Sequence, residues 1–319
     1  MKVALICLAL VVLAGALFWR FGPVEDAALD GPADLAGLEG GVDAWFAAQE
    51  GRFDDITAGA EKRVIWAGAP GAQTEWAVLY VHGFSATSEE IRPVPDDVAA
   101  ALGANLVYTR LTGHGRGAAP MGTARVADWM QDTRQALAAA RAVGRRVLVL
   151  SVSTGGTLVT AALAQGEAVD GAVFLSPNFG INNPAAPLLT WPGVRHWLPP
   201  ILGRTYAFEP RNDAQARFWT TSYPSVALLP VAALVKAVRA LDLSGITAPA
   251  LFIYAAADQV VVAAQTDAIV ARWPARAEVE QPVMGPGDDA SAHVIAGDIL
   301  SPGRNAATVE RILAFARSL

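Results

Sequence analysis

Two serines stand where an apolar run ends. In VLVLSVSTGGTL, residues 147–158, four aliphatic residues give way to Ser151-Val152-Ser153-Thr154-Gly155, and a helix-compatible run begins at Thr157. A hydroxyl becomes a nucleophile when the chain holds it beside a base. A serine on a sharp strand-to-helix turn is held that way. The turn brings backbones close together, so the residues two before and two after it must be small, usually as G-x-S-x-G. Ser153 has Ser151 and Gly155 at those positions, whereas Ser151 would have Val149. Ser153 is therefore the candidate nucleophile, with Ser151 in place of the usual glycine.

Three further stretches could complete the chemistry of acyl transfer. LYVHGFSAT, 79–87, runs an apolar strand into His82-Gly83-Phe84. A glycine there lets the chain turn and aim an N–H group at a developing oxyanion, so the Phe84 and Thr154 amides are the candidate pair of donors. Thr154 qualifies because it opens a helix, where N–H groups are free. YAAADQVVV, 254–262, ends a buried strand in Asp258, the candidate acid that orients a base; Asp288 and Asp289 are rivals in a Gly/Pro-rich loop. The chain has four histidines, His82, His114, His196 and His293, and His293 in DASAHVIAGDI is the only one after Asp258. The order Ser153, Asp258, His293 is the serine–acid–histidine order of one hydrolase fold. His82 is read as holding its loop rather than as a base.

These residues need elements that bring them to one edge. Strands are predicted at 63–66, 76–81, 105–109, 147–150, 172–175, 250–255 and 278–283. Helices are predicted at 43–48, 88–102, 125–143, 156–164, 225–241, 263–273 and 305–317. Continuous apolar strands are buried on both faces, and strands alternating with helices build a mainly parallel sheet covered on both sides. Ligands in such a sheet bind beyond the carboxyl ends of the strands, where each candidate sits. The Pro-, Trp- and Asn-rich segment at 177–242 breaks the alternation and reads as a cap over that edge.

HGFSAT, RLTGHGR (110–116), SVSTGG, DQVV and AHVIAGD together resemble motifs of the α/β-hydrolase superfamily, in the branch of bacterial carboxylesterases and monoacylglycerol lipases. The resemblance runs from about Trp76 to Leu319. It implies an eight-stranded, mostly parallel sheet, a cap between strands six and seven, and a Ser153–Asp258–His293 triad. Ser151 at the elbow and the polar Thr154 after the nucleophile depart from the family pattern. His82, Gly83 and His114 fall in family loops beside the site. In the cap, Trp191 and Trp197, with Leu188, Leu189, Leu198 and Ile201, suit an apolar acyl chain.

The amino-terminal run MKVALICLALVVLAGALFWRFG is uncharged from Val3 to Trp19, about 17 residues, the lower limit for crossing a bilayer. It reads either as a signal peptide cleaved after Ala14-Gly15-Ala16, giving a secreted protein, or as an uncleaved anchor with Trp19 and Arg20 at the interface. Continuation of the apolar run past Ala16 favours the anchor over residues 1–21, with the body outside the cytoplasm, in the periplasm. Residues 22–41 read as a linker, and 42–319 as the hydrolase domain. With a net charge of −6 and 17% charged residues there is no basic footprint for nucleic acid. The single cysteine, Cys7, excludes an internal disulfide, and neither a metal nor a cofactor motif is present.

The expected activity is cleavage of a carboxylic ester, of acyl-chain or lipid-derived type, through an acyl-enzyme on Ser153. The same residues would serve an acyltransferase, a thioesterase or an amidase. A non-catalytic, membrane-tethered binding protein on this scaffold is the alternative of another class.

Overall fold

The computed structural model describes residues 2–319. In chain order its elements are α1 (Lys2–Phe21), α2 (Val42–Glu50), β1 (Arg63–Ile65), β2 (Thr74–Val81), α3 (Val94–Leu102), β3 (Asn105–Tyr108), α4 (Ala118–Met121) and α5 (Val126–Val143). There follow β4 (Gly144–Val152), α6 (Thr154–Ala164), β5 (Gly171–Leu175), α7 (Val194–Leu202), β6 (Thr205–Ala207), α8 (Asp213–Phe218), β7 (Ser222–Pro224) and α9 (Leu228–Ala240). The chain closes with β8 (Ala250–Ile253), α10 (Ala263–Val270), β9 (Ala277–Glu280) and α11 (Asn305–Arg317).

The central sheet has the order β1-β3-β2-β4-β5-β8-β9. Only β1 runs antiparallel, against β3; every other neighbour pair is parallel. The sheet thus has seven strands among the described residues, against the eight that the resemblance implies. Before β1 the chain forms α1, α2 and turns.

Period-two alternation sorts the strand side chains into two apolar layers. Ala77, Leu79 and Val81 of β2, with Val147 and Val149 of β4, face the layer closed by Trp129, Leu137, Leu158 and Leu234 of α5, α6 and α9. Val78 and Tyr80, with Leu148 and Leu150, face the layer closed by Val98 of α3 and by Ile312 and Phe315 of α11. Because the strands are parallel, their carboxyl ends share one edge, and the loops after β2, β4, β5, β8 and β9 all open there.

Several elements differ from expectation at their ends. The helix predicted from residue 88 begins only at Val94. Arg92 precedes Pro93, and a residue before proline is driven out of the helical region. The helix predicted to Trp273 stops at Val270. The excursion between β5 and β8 holds more structure than the sequence announced: α7, a two-stranded β6–β7 hairpin, α8 and α9.

Candidate active site

At the end of β4 the chain turns so sharply that Ser153 takes φ 62° and ψ −113°. A non-glycine residue rarely adopts a positive φ, and one at the start of a helix points its side chain away from both elements. The neighbours show why they are small. A Cβ on Gly155 would press on the carbonyl oxygen of Val81 and lie 2.7 Å from that of His82. Ser151 fits because its hydroxyl donates to Val173 O at 3.1 Å on the adjacent strand.

Ser153 Oγ lies 3.0 Å from His293 Nε2, and His293 Nδ1 lies 2.8 Å from Asp258 Oδ2. A carboxylate can only accept, so the imidazole proton sits on Nδ1 and leaves Nε2 to accept from the serine hydroxyl. Asp258 is itself fixed: its other oxygen accepts from Val260 N at 2.7 Å and Val261 N at 2.9 Å. Burial pushes the His293 imidazole down, but the hydrogen bond and charge of Asp258, with Glu90 and Asp289 behind, outweigh burial and hold it above 6.5. The three residues are 94% to 92% buried, with Ser153 6%, Asp258 7% and His293 8% exposed, so the hydrogen bonds act in a low dielectric.

Phe84 and Thr154 line the same cavity as Ser153, and neither amide donates to another group among the described residues. Thr154 is the first residue of α6, so its free N–H belongs to a helix amino terminus. Gly83 does not offer its amide: Gly83 N donates to Glu90 Oε2 at 2.6 Å. That bond, with Tyr80 Oη donating to the same oxygen at 3.0 Å, fixes the loop that carries Phe84. Burial pushes the Glu90 carboxyl up to about 7 against these hydrogen bonds. The sequence reading missed Glu90. Its only signal was a carboxylate eight residues after the histidine of an apolar strand end, and burial is not visible there.

A cavity of about 490 Å³ joins these groups. Ser153, Thr154, His293, Phe84 and Glu90 line it from the sheet edge, and Tyr206, Phe208, Trp219, Tyr223, Leu228 and Val231 line it from the β5–β8 excursion. Asn178 lines it too, with its side-chain oxygen buried and without a partner among the described residues.

His82, Gly83, His114, Trp191 and Trp197 do not line this cavity. His82 is fully buried, its Nδ1 2.8 Å from Gly83 O and its Nε2 accepting from Leu111 N at 3.0 Å. His114 is equally buried behind it, 5.5 Å from the Phe84 ring, and burial pushes both imidazoles down, His82 to about 4. These two rings back the loop that carries Gly83 and Phe84. Trp191 is 42% exposed and meets Trp19 of α1 edge-on at 4.9 Å. Trp197 donates its Nε1–H to Pro192 O at 3.0 Å. Both tryptophans pack the outer side of the excursion, because the chain that covers the cavity is the β6–β7 hairpin and α9. The rival acid Asp289 supports the histidine loop: one oxygen accepts from His293 N at 3.0 Å and Val294 N at 2.9 Å.

A nearly parallel sheet with helices on both faces, a serine at a strained strand-to-helix turn and an ordered acid and histidine on later loops define an enzyme of the α/β-hydrolase superfamily. The model of the serine aminopeptidase, S33, family (Hydrolase_4) matches residues 72–281, a stretch that holds Ser153 and Asp258 and ends before His293. The chain belongs to that family. Solved structures share the fold at low identity. One described under "LipS and LipT, two metagenome-derived lipolytic enzymes" is 21% identical, with a TM-score of 0.65, over 83% of this chain and 100% of that one. The monoacylglycerol lipase of Paleococcus ferrophilus is 16% identical, with a TM-score of 0.58, over 81% of this chain and 99% of that one. A soluble variant of monoglyceride lipase from Saccharomyces cerevisiae, solved with a substrate analog, is 12% identical, with a TM-score of 0.59, over 82% and 92%. No curated protein matches the sequence.

Proposed function

We propose that the protein hydrolyses carboxylic esters with apolar acyl chains through an acyl-enzyme on Ser153. The observation that carries this reading is the hydrogen-bonded series from Ser153 Oγ to His293 at 3.0 Å and from His293 to Asp258 at 2.8 Å, in a cavity that Phe84 and Thr154 also line. Ser153 Oγ attacks the ester carbonyl while His293 Nε2 takes its proton. The Phe84 and Thr154 amides receive the oxyanion. His293 then returns the proton to the leaving alcohol, and water repeats the sequence on the acyl-enzyme. Asp258 holds the imidazole tautomer and steadies the imidazolium. The aromatic and aliphatic lining of the cavity supports an apolar acyl group, and lipase and esterase neighbours are in keeping with it.

The test is labelling of the full chain by a fluorophosphonate probe, beside Ser153→Ala. Labelling lost only in the variant supports the assignment; labelling retained in the folded variant refutes it. The family's description names a peptidase, so amides are the competing substrate for the same residues. An ester series of rising acyl length, run beside matched anilides, separates the two: turnover confined to the anilides, or indifferent to acyl length, overturns the ester reading.

α1 supplies the second part of the proposal. It is 20 residues long with a mean hydropathy of 2.4, and none of it is buried in the protein. We read it as an uncleaved anchor that leaves the body on the periplasmic side. The intact mass of the mature protein tests this, because cleavage after Ala16 would remove most of the helix.

A further inference from the structure

Composition predicts a loose linker after α1, but the chain there is a strap pinned at both ends. At its start Gly193 N donates to Pro23 O at 2.6 Å, and Arg195 grips Glu25 with two bonds of 2.8 and 2.5 Å. The Glu25 side chain is only 4% exposed. Further along, Arg134 of α5 donates to Leu29 O at 2.7 Å and Gln135 Nε2 to Asp34 O at 2.8 Å. Together with the Trp19–Trp191 contact, the bonds of Pro23 and Glu25 fix the end of the apolar helix against the start of α7.

α7 is apolar on two sides. Val194 and Leu198 turn inward onto Leu229. Ile201 and Leu202 are 70% and 61% exposed, and the exposed strip continues through Arg204 to Tyr206. Tyr206 stacks on Tyr223 at 5.4 Å, Tyr223 meets Phe84 edge-on at 5.3 Å, and all three line the cavity that holds Ser153. An apolar surface patch therefore leads inward to the candidate nucleophile.

We propose that this strip, Ile201, Leu202 and Tyr206, docks with Trp191, which precedes the other end of α7, into the same bilayer leaflet that α1 enters, so that the cavity opens onto the membrane. The occupant is the acyl-chain region of a phospholipid bilayer. The inference rests on reading α1 as an anchor. A 20-residue helix is about 30 Å long, the thickness of the hydrocarbon core, so Trp19 and Phe21 lie at the interface. Trp191, in ring contact with Trp19, lies at the same depth, and tryptophan favours that zone. Arg20 and Arg204 reach the headgroups by extending their charged ends toward water. An acyl chain then passes along Tyr206, Tyr223 and Phe84 without crossing bulk water.

The test uses the full chain carrying Cys7→Ser and one new cysteine, at Val12→Cys, Leu202→Cys or Val283→Cys, labelled with an environment-sensitive fluorophore. Each protein is reconstituted in phosphatidylcholine–phosphatidylglycerol vesicles with or without a quencher on the lipid acyl chain. Val283, 87% exposed, lies on the loop after β9 and serves as the control. Quenching at positions 12 and 202 but not 283 is the expected result. Quenching at 12 alone overturns the docking surface and leaves the anchor. No quenching at 12 overturns the anchor and this inference with it, and quenching at 283 as well overturns a specific surface. As a second arm, Leu202→Asp should lower turnover of a vesicle-borne ester about tenfold or more. The same variant should hold turnover of a short water-soluble ester within about twofold. An equal loss on both substrates overturns the proposal.

Discussion

Ser153 holds its positive φ at a cost, since a non-glycine residue in such a region stores on the order of 1–3 kcal/mol. Ser153→Gly should therefore abolish turnover and raise stability by about 1 kcal/mol in urea unfolding; an unchanged or lower stability would show that the turn is unstrained. Glu90 gives the site a second titration. Its folded value of about 7 lies above the ordinary 4.5, so its contribution to stability is full below 4.5 and lost as pH rises to about 7. His82 runs the other way: its folded value of about 4 lies below 6.5, so its contribution is full above 6.5 and lost as pH falls toward about 4. The two slopes oppose each other across the overlap. Glu90→Gln, which still accepts from Gly83 N, should unmask the histidine slope and make acid unfolding steeper. It should also move the acid limb of kcat/KM to lower pH, because Glu90 raises the His293 value and the base must be neutral to act. Measured pH profiles of both quantities, unchanged by the variant, would show that Glu90 stays neutral throughout. Ser153 and Asp258 were legible because each follows a strand-like run, and His293 because it is the only histidine after Asp258. Glu90 was not, because its burial depends on which side of a fold a side chain ends up, whereas His82 was read from the start as holding its loop.

Elements place these residues through backbone bonds. The histidine arrives on a loop with no regular structure, and Asp289 organises it. Asp289 accepts from the amides of Ser291, His293 and Val294 and from the Ser291 hydroxyl, and Arg211 lies 3.3 Å away. Asp289→Ala strands these buried amides, at about 1–3 kcal/mol. It should lower kcat by at least about tenfold with little change in KM, because the His293 ring loses its place rather than the substrate its pocket. A loss confined to KM would refute that role and point to substrate contact. The strands were readable as buried apolar runs, β4 and β5 above all. The excursion was readable only as an interruption. α7 carries Pro199 and Pro200 inside it, and β6 and β7 are three residues each, so their local propensities are weak and their pairing is decided by distant partners. That is also why Trp191 and Trp197, apolar and near the site in sequence, pack outside the cavity.

Across the whole molecule, the amino-terminal half is tied to the site by buried charge. Arg110, after β3, meets Glu50 of α2 through two bonds of 2.7 and 2.8 Å and also donates to His114 O at 3.1 Å. Their side chains are only 4% and 9% exposed. Lys62 pairs with Asp132 of α5 at 2.9 Å, and Asp132 in turn accepts from Thr112 N at 2.6 Å. The loop between Arg110 and His114 is thus held from two sides, and the His114 ring packs against Phe84, whose amide is half of the candidate oxyanion site. Burying two charges is expensive, and removing one of them is worse than removing both. Arg110→Met leaves the Glu50 carboxylate buried without its partner and should cost about 3–5 kcal/mol in urea unfolding. Arg110→Met with Glu50→Gln should recover part of that loss. If the pair also positions the oxyanion loop, kcat should stay low in the double variant even as stability returns, since neither replacement holds the His114 carbonyl. Recovery of both together would mean that the pair acts on stability alone.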